Sequence, residues 1–354
     1  MKPVIGVIGA GFIAQMHLKA FEELKAQVKI VADPNAKSAL AAAARFGAAT
    51  ADDWHAVLAD PEVNVVTVFT PSGGHFEPVQ AALQAGKHVI CEKTLTLDSA
   101  QSLELGHLAE RSNRILLTSY MKRFFPAVQK ASQLMPRLGH IMSVYCRTYQ
   151  GVGPDNFHSG ALPAWVRPEA GGPSPIRRKS GGGVLVCGGS HVFDLLLFLV
   201  GKPEAVFARA LRRPESDVDL MTHALFEFPG GGVGHFEANW HPLRKIGYES
   251  RGWDEGFEIS GVNGRLVLQL PVWDHPENNA ATLRYYDNAA ETWTEFALPI
   301  VDPFVEAERF FLAQLAADAQ GSQDRYTGYR VDLLLEKTQQ SADEGRRIAI
   351  PWQV

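Results

Sequence analysis

The chain has 354 residues, of which 46% are hydrophobic and 21% charged, and carries a net charge of -5 at pH 7. Length predicts two domains, and the slightly acidic balance gives no basic footprint for nucleic acid. Three cysteines, Cys91, Cys146 and Cys187, odd in number and without a C-x-x-C pair, argue against a disulfide scaffold and a structural zinc module. The start, MKPVIGVIGAG, has no export pattern. The longest apolar run, LLLFLV at 195–200, falls short of the roughly 18 to 20 residues of a membrane span. A cytoplasmic protein with neither nucleic-acid nor membrane partners is expected.

In chain order, Val- and Ile-rich runs at 4–9, 28–33, 64–71, 88–93 and 114–120 alternate with helical patterns such as 12–26 and 99–112. Strands apolar on both faces and separated by helices predict a parallel sheet covered on both sides. After Pro136 the pattern changes to alternating strands joined by short turns, at 143–150, 221–228, 233–240, 257–262, 265–270 and 283–288. Helices are predicted at 183–200, 303–319 and 329–344, and 150–180 reads as a long loop with the basic triplet Arg177, Arg178, Lys179. The expected fold is an α/β Rossmann domain over 1–122 followed by an α+β domain over 123–354. The latter has a mostly antiparallel open sheet, helices on one of its faces, and roles in substrate binding and oligomerisation.

The first strand runs into Gly9-Ala10-Gly11-Phe12-Ile13-Ala14, a G-x-G-x-x-A pattern opening a helix, and Asp33 ends the next strand. Gly9 permits a tight turn, Gly11 lets backbone approach a pyrophosphate, and Ala14 allows close helix–strand packing, with the helix N-terminus favouring phosphate charge. Asp33 lies at the offset of a carboxylate that binds adenosine ribose hydroxyls, and no arginine follows it, which favours NAD over NADP.

The stretch 181–194, GGGVLVCGGSHVFD, raises a separate question. On a continuous helix Cys187, His191 and Asp194 stand at i, i+4 and i+7 and share a face. Gly188 and Gly189 are unfavourable there, and a close approach of cofactor or substrate would explain them. Three readings of Cys187 are open: a small buried residue, a thiol polarised by His191, or a metal ligand helped by scattered residues such as His158, His235 or His241. No metal centre is expected.

TPSGGH (70–75), AGKHVICEK (85–93), MKRFFP (121–126), FEISGVNGRLVL (257–268) and the glycine-rich stretch, in that order, resemble the glucose-fructose oxidoreductase, inositol dehydrogenase and MocA family (Gfo/Idh/MocA) across nearly the whole chain. The resemblance implies NAD(P)-dependent oxidation of CH-OH groups in sugars, inositols or related polyols, by a homodimer or homotetramer built through the C-terminal sheet. It implies that Lys93 is central to the active site, that His75 and Glu92 lie near the cofactor, and that Thr70 and Pro71 line its nicotinamide half. His191 and Asp194 match the family's histidine and final aspartate. Cys187 replaces an aspartate, Thr94 a proline and Ser72 an asparagine. The chemistry needs a base for the hydroxyl proton and a cation for the oxyanion, roles expected of His191 and Lys93. Trp165, Arg167, Trp240 and His241 are further candidates for substrate contact. Two other readings keep the dinucleotide site: a self-recycling NAD enzyme performing epimerisation, elimination or glycoside cleavage, and a non-catalytic regulatory protein.

Overall fold

The structure, a computed structural model, describes residues 2–151, 162–243, 246, 252–274 and 280–354. The chain forms two compact units, Met1–Met121 with Pro303–Asp332, and Lys122–Asp302 with Leu333–Val354.

In the first unit, β1 (Val4–Ile8), β2 (Gln27–Ala32), β3 (Ala49–Ala51), β4 (Val65–Val68), β5 (His88–Cys91) and β6 (Leu116–Thr118) form a sheet in the order β3-β2-β1-β4-β5-β6. All of its pairs are parallel. Between the strands run α1 (Phe12–Glu23), α2 (Ala36–Ala44), α3 (His55–Ala59), α4 (Phe76–Gln84) and α5 (Ser99–Arg111). β4 and β5 are buried at every position, as expected for strands covered on both faces. On α1 the buried positions Ala14, His17, Leu18 and Phe21 make one helical stripe. Asn35 caps α2 by accepting from Lys37 N and Ser38 N, and Asp98 caps α5 by accepting from Ala100 N.

The second unit starts with α6 (Pro126–Leu134) and β7 (Ile141–Gln150) and continues through α7 (Pro175–Ser180) to α8 (Ser190–Leu199). Then come β8 (Ala205–Leu211), β9 (Met221–Glu227), β10 (Val233–Trp240), β11 (Asp254–Gly261), β12 (Gly264–Leu270), β13 (Thr282–Asp287) and β14 (Thr292–Phe296). With β15 (Ile348–Ala349), these strands form a nine-stranded sheet, β14-β13-β12-β11-β7-β10-β9-β8-β15. It is antiparallel except where β10 runs parallel to β7. Burial alternates along β10, so one face meets helices and the other stands outward.

Three expectations change. The helix α9 (Pro303–Ala317) and the start of α10 (Thr327–Glu344) belong to the first unit, although their sequence follows the second; α9 carries Glu308, whose carboxylate meets His17 on α1. The expected loop at 150–180 holds a helical turn at Ala164–Val166 and the helix α7. The latter is set by Ser174 accepting from Arg177 N, Pro175 in the first turn and Gly181 in the left-handed region. Finally, 183–200 is not one α-helix, because Leu185–Gly189 forms a π-turn before α8. The stretch Pro175–Leu199 is long and apolar enough to cross a membrane by length and composition, yet 72% of its most apolar window is buried inside the protein.

Candidate active site

In the first unit the candidates gather at the carboxyl ends of β1, β4 and β5, where the strand order reverses between β1 and β4. That crevice is where open α/β sheets bind ligands. Gly9 has φ +92°, and a Cβ there would lie 2.9 Å from the Phe69 carbonyl carbon, so the turn admits only glycine. Gly11 precedes α1 with no side-chain cap, and a Cβ there would meet no atom within 4 Å. The first-turn N–H groups thus face an open approach that fits a pyrophosphate. Asp33 accepts from Ala10 N at 2.7 Å through Oδ2 and from Asn35 N at 2.8 Å through Oδ1. Its carboxylate therefore ties the glycine turn to the end of β2 and keeps lone pairs for ribose hydroxyls. Phe12 is exposed and Ile13 half-buried at the start of α1.

Lys93 follows β5 and is half-buried, on a backbone held at successive points. Its N–H donates to Glu92 Oε2 at 3.0 Å, and its carbonyl accepts from Ser72 Oγ at 3.4 Å. The Lys93–Thr94 peptide is cis. His75, wholly buried, places its two ring nitrogens 2.8 Å from the Thr70 and Thr94 carbonyls. Burial lowers its pKa against those carbonyls, which favour the protonated ring. His75 thus clasps the loop bearing half-buried Thr70 and exposed Pro71 to the turn after Lys93. Further on, Thr96 N donates to Asp332 Oδ2 at 3.1 Å.

Behind Lys93 lies a buried triad that the sequence reading did not contain. His17 on α1 sits 3.0 Å from Glu92 Oε1 and 2.6 Å from Glu308 Oε1, with its ring stacked on Phe69 at 4.1 Å. Burial alone would lower the His17 pKa, but the hydrogen bonds to Glu308 and Glu92 outweigh it and raise it to about 9. For Glu92 burial is likewise outweighed, by His17 and the Lys93 charge, and the carboxyl is held below its ordinary value. The Glu308 carboxyl is pushed up, by burial first. Glu92 therefore serves as an ionised strut beneath Lys93. A histidine on the apolar stripe of α1 was the available signal for this cluster.

In the second unit the glycine-rich stretch packs on β7 and β10. A Cβ at Gly188 would lie 2.3 Å from Gln150 Nε2, and one at Gly189 3.0 Å from Phe236. Both glycines pack directly against the sheet. A Cβ at Gly183 would fall 1.9 Å from the Asp219 carbonyl oxygen. The buried Asp219 carboxylate accepts from Gly183 N, Leu185 N and Thr222 Oγ1 at 3.1, 2.9 and 2.8 Å, pinning the start of the π-turn. Cys187 stands half-buried in that turn, its thiol 3.8 Å from the Gly182 carbonyl, and His191 is buried one turn later. π-turns of this kind recur at functional sites.

Asp194 is fully buried and gives both oxygens to Arg123, at 2.7 and 2.6 Å; burial raises its pKa and the Arg123 charge opposes this. It anchors α8 to the 121–124 turn. The neighbouring Lys122 is also buried, bonded to Glu255 at 2.6 and 2.7 Å, and Thr148 donates to the same carboxylate at 2.9 Å. Trp165 meets Trp240 edge-on at 5.2 Å, and Trp240 Nε1 donates to Gln150 Oε1 at 2.9 Å. Arg167 is exposed and donates to the Leu162 carbonyl. His241 Nε2 lies 2.8 Å from the Gly252 carbonyl, and its Nδ1 accepts from Leu243 N at 3.0 Å. His235 lies on the outward face of β10, and His158 falls outside the described residues.

Comparison with known proteins agrees with this layout. Residues 4–120 match the model of an oxidoreductase family with an NAD-binding Rossmann fold, and residues 129–267 match the GFO/IDH/MocA C-terminal domain. A levoglucosan dehydrogenase of Pseudarthrobacter phenanthrenivorans is 26% identical over 98% of both chains. A D-xylose 1-dehydrogenase (NADP(+)) of Haloferax volcanii is 27% identical over 80% of both. The solved structure of a levoglucosan dehydrogenase in complex with NADH superimposes with a TM-score of 0.83 at 24% identity, covering 99% of this chain and 100% of that one.

Proposed function

Because the chain belongs to the GFO/IDH/MocA oxidoreductase family, we propose that it moves hydride between NAD and a hydroxyl-bearing carbon of a sugar, inositol or related polyol, with Lys93 and His191 at the reacting oxygen. The observation that carries this reading is the backbone of Lys93, held by Glu92, Ser72 and, through Thr94, His75. It sits at the strand ends that also carry the glycine turn. NAD supplies the hydride acceptor. Gly9 and Gly11 shape the pyrophosphate cradle and Asp33 takes the adenosine ribose.

Lys93, a cation on a fixed backbone, stabilises negative charge on the substrate oxygen as the C–H bond weakens. His191 accepts the hydroxyl proton, a task suited to imidazole near neutral pH. Trp165, half-buried and edge-on to the buried Trp240, offers an apolar face that packs against sugar C–H groups. Copies of the chain associate through the outer face of the second unit's sheet, where Leu225 and Val233 stand exposed; light scattering on the purified protein checks this.

The test is NADH absorbance with NAD and a panel of levoglucosan, D-xylose, inositols and glucosides, with product analysis in parallel. Accumulating NADH that disappears in Lys93→Met supports the dehydrogenase. Glycosides converted without NADH release would mean that the redox step is internal, and no turnover of any kind would leave only the dinucleotide fold.

A further inference from the structure

On the sheet face turned away from α8, strand register brings together two histidines and a glutamate. His223 on β9 pairs directly with Glu237 on β10, and His235 lies two residues before Glu237, so all three side chains project outward. The histidine side chains are about two-fifths exposed (39% and 40%), whereas Glu237 keeps only 14%.

The two oxygens of Glu237 have different surroundings. Oε2 accepts from the Tyr145 hydroxyl at 3.1 Å and from the Tyr149 hydroxyl, both on β7. Oε1 instead faces His223 Nδ1 at 3.8 Å and His235 Nε2 at 3.6 Å. Those separations are too long for hydrogen bonds. They are close to the spacing of about 3.3 to 3.6 Å between ligands that surround one tetrahedral ion with bonds of about 2.0 to 2.2 Å. All three donor atoms lie within 4.8 Å of one another, and small rotations of two half-exposed rings close the remainder. The nearby Arg147 charge is engaged by Asp254 at 2.8 and 2.9 Å.

We propose that His223, His235 and Glu237 form a three-ligand site for a divalent transition-metal ion, zinc above all, with a fourth position directed outward from the sheet, toward the second copy that we propose covers this face. Two imidazoles and one carboxylate suit that class of ion. Tyr145 and Tyr149 supply the outer hydrogen bonds that orient a ligating carboxylate. The ion would tie β9 to β10 on the face opposite the glycine-rich stretch.

The experiment uses the full-length protein, stripped by a chelator and titrated with zinc chloride against a chromophoric competitor, beside His235→Ala, His223→Ala and Tyr149→Phe. One zinc per chain is expected, with affinity reduced at least about 100-fold in each histidine variant and about 10-fold in Tyr149→Phe, the size of effect that removing an outer partner produces. NAD binding by every variant confirms that the chain is folded, and zinc should raise the melting temperature of the wild type but not of His223→Ala/His235→Ala. Failure to bind one zinc per chain, or binding that survives the double replacement, overturns the proposal.

Discussion

The Glu308 carboxylate lies 2.6 Å from the Nδ1 atom of His17, a residue 291 positions earlier in the chain. Through the other ring nitrogen the contact continues to Glu92, whose second oxygen accepts the Lys93 N–H. A helix near the end of the chain thereby steadies the backbone of the lysine assigned to the reacting oxygen.

Glu308→Gln leaves an imidazolium short of one buried counter-charge, and breaking a buried pair of this kind costs about 3–5 kcal/mol. A lower melting temperature and a reduced kcat are expected, with NAD affinity less affected. The pH dependence has a defined sign. His17 has a folded pKa of about 9 against 6.5 ordinarily. Its contribution is therefore complete below about pH 6.5 and fades as pH rises through 9, roughly 3 kcal/mol in all. Melting temperatures of wild type across pH 6 to 10 should fall along that window, and the fall should be shallower in Glu308→Gln.

Lys93→Met and His191→Asn should each lower kcat by about 10²- to 10⁴-fold, the range for losing a general acid–base or electrostatic group. Dissociation constants for NADH, read by fluorescence, should stay near the wild-type value, because neither side chain forms the glycine cradle.

Asp33→Ala removes the acceptor of the Ala10 N–H as well as the proposed ribose partner. Charged hydrogen bonds of this sort contribute about 1.5–3 kcal/mol, so NAD should bind about 10- to 100-fold more weakly. The preference for NAD over NADP should shrink in the same titrations.

Two glycine replacements should separate cofactor fit from packing. Gly11→Ala meets no neighbouring atom and should leave the melting temperature almost unchanged while weakening NAD binding. Gly183→Ala drives a methyl to within 1.9 Å of the Asp219 carbonyl oxygen and should destabilise the chain by about 1–3 kcal/mol. Thermal scans with and without NAD distinguish the two.

The dinucleotide half was legible because its signals are local. Val- and Ile-rich strands, a glycine turn whose φ suits Gly9, and an acidic residue at the end of β2 all lie within short windows. The alternating strands of the second sheet were legible for the same reason. What the sequence did not disclose depends on partners distant along the chain. Nothing near Pro303 indicates that α9 returns to α1, since an amphipathic helix specifies that it must be covered and not by what. That Glu92 braces Lys93 from below and His75 clasps two loops depends on such partners. Asp194 read as a substrate contact because its guanidinium partner, Arg123, lies 71 positions away. The π-turn at Leu185–Gly189 was hidden as well, because sidedness on a helix presumes an unbroken α-helical period.

The return of residues 303–332 to the nucleotide-binding unit also sets an order of assembly. The first 121 residues emerge from a ribosome with His17 and Glu92 lacking the carboxylate that completes their cluster, and the chain must extend through β7 to β14 of the second sheet before Glu308 arrives. At about 5–20 residues per second that interval is roughly 10 to 40 seconds. Taken alone, the stretch Met1–Met121 thus lacks the Glu308 carboxylate that completes the His17 cluster.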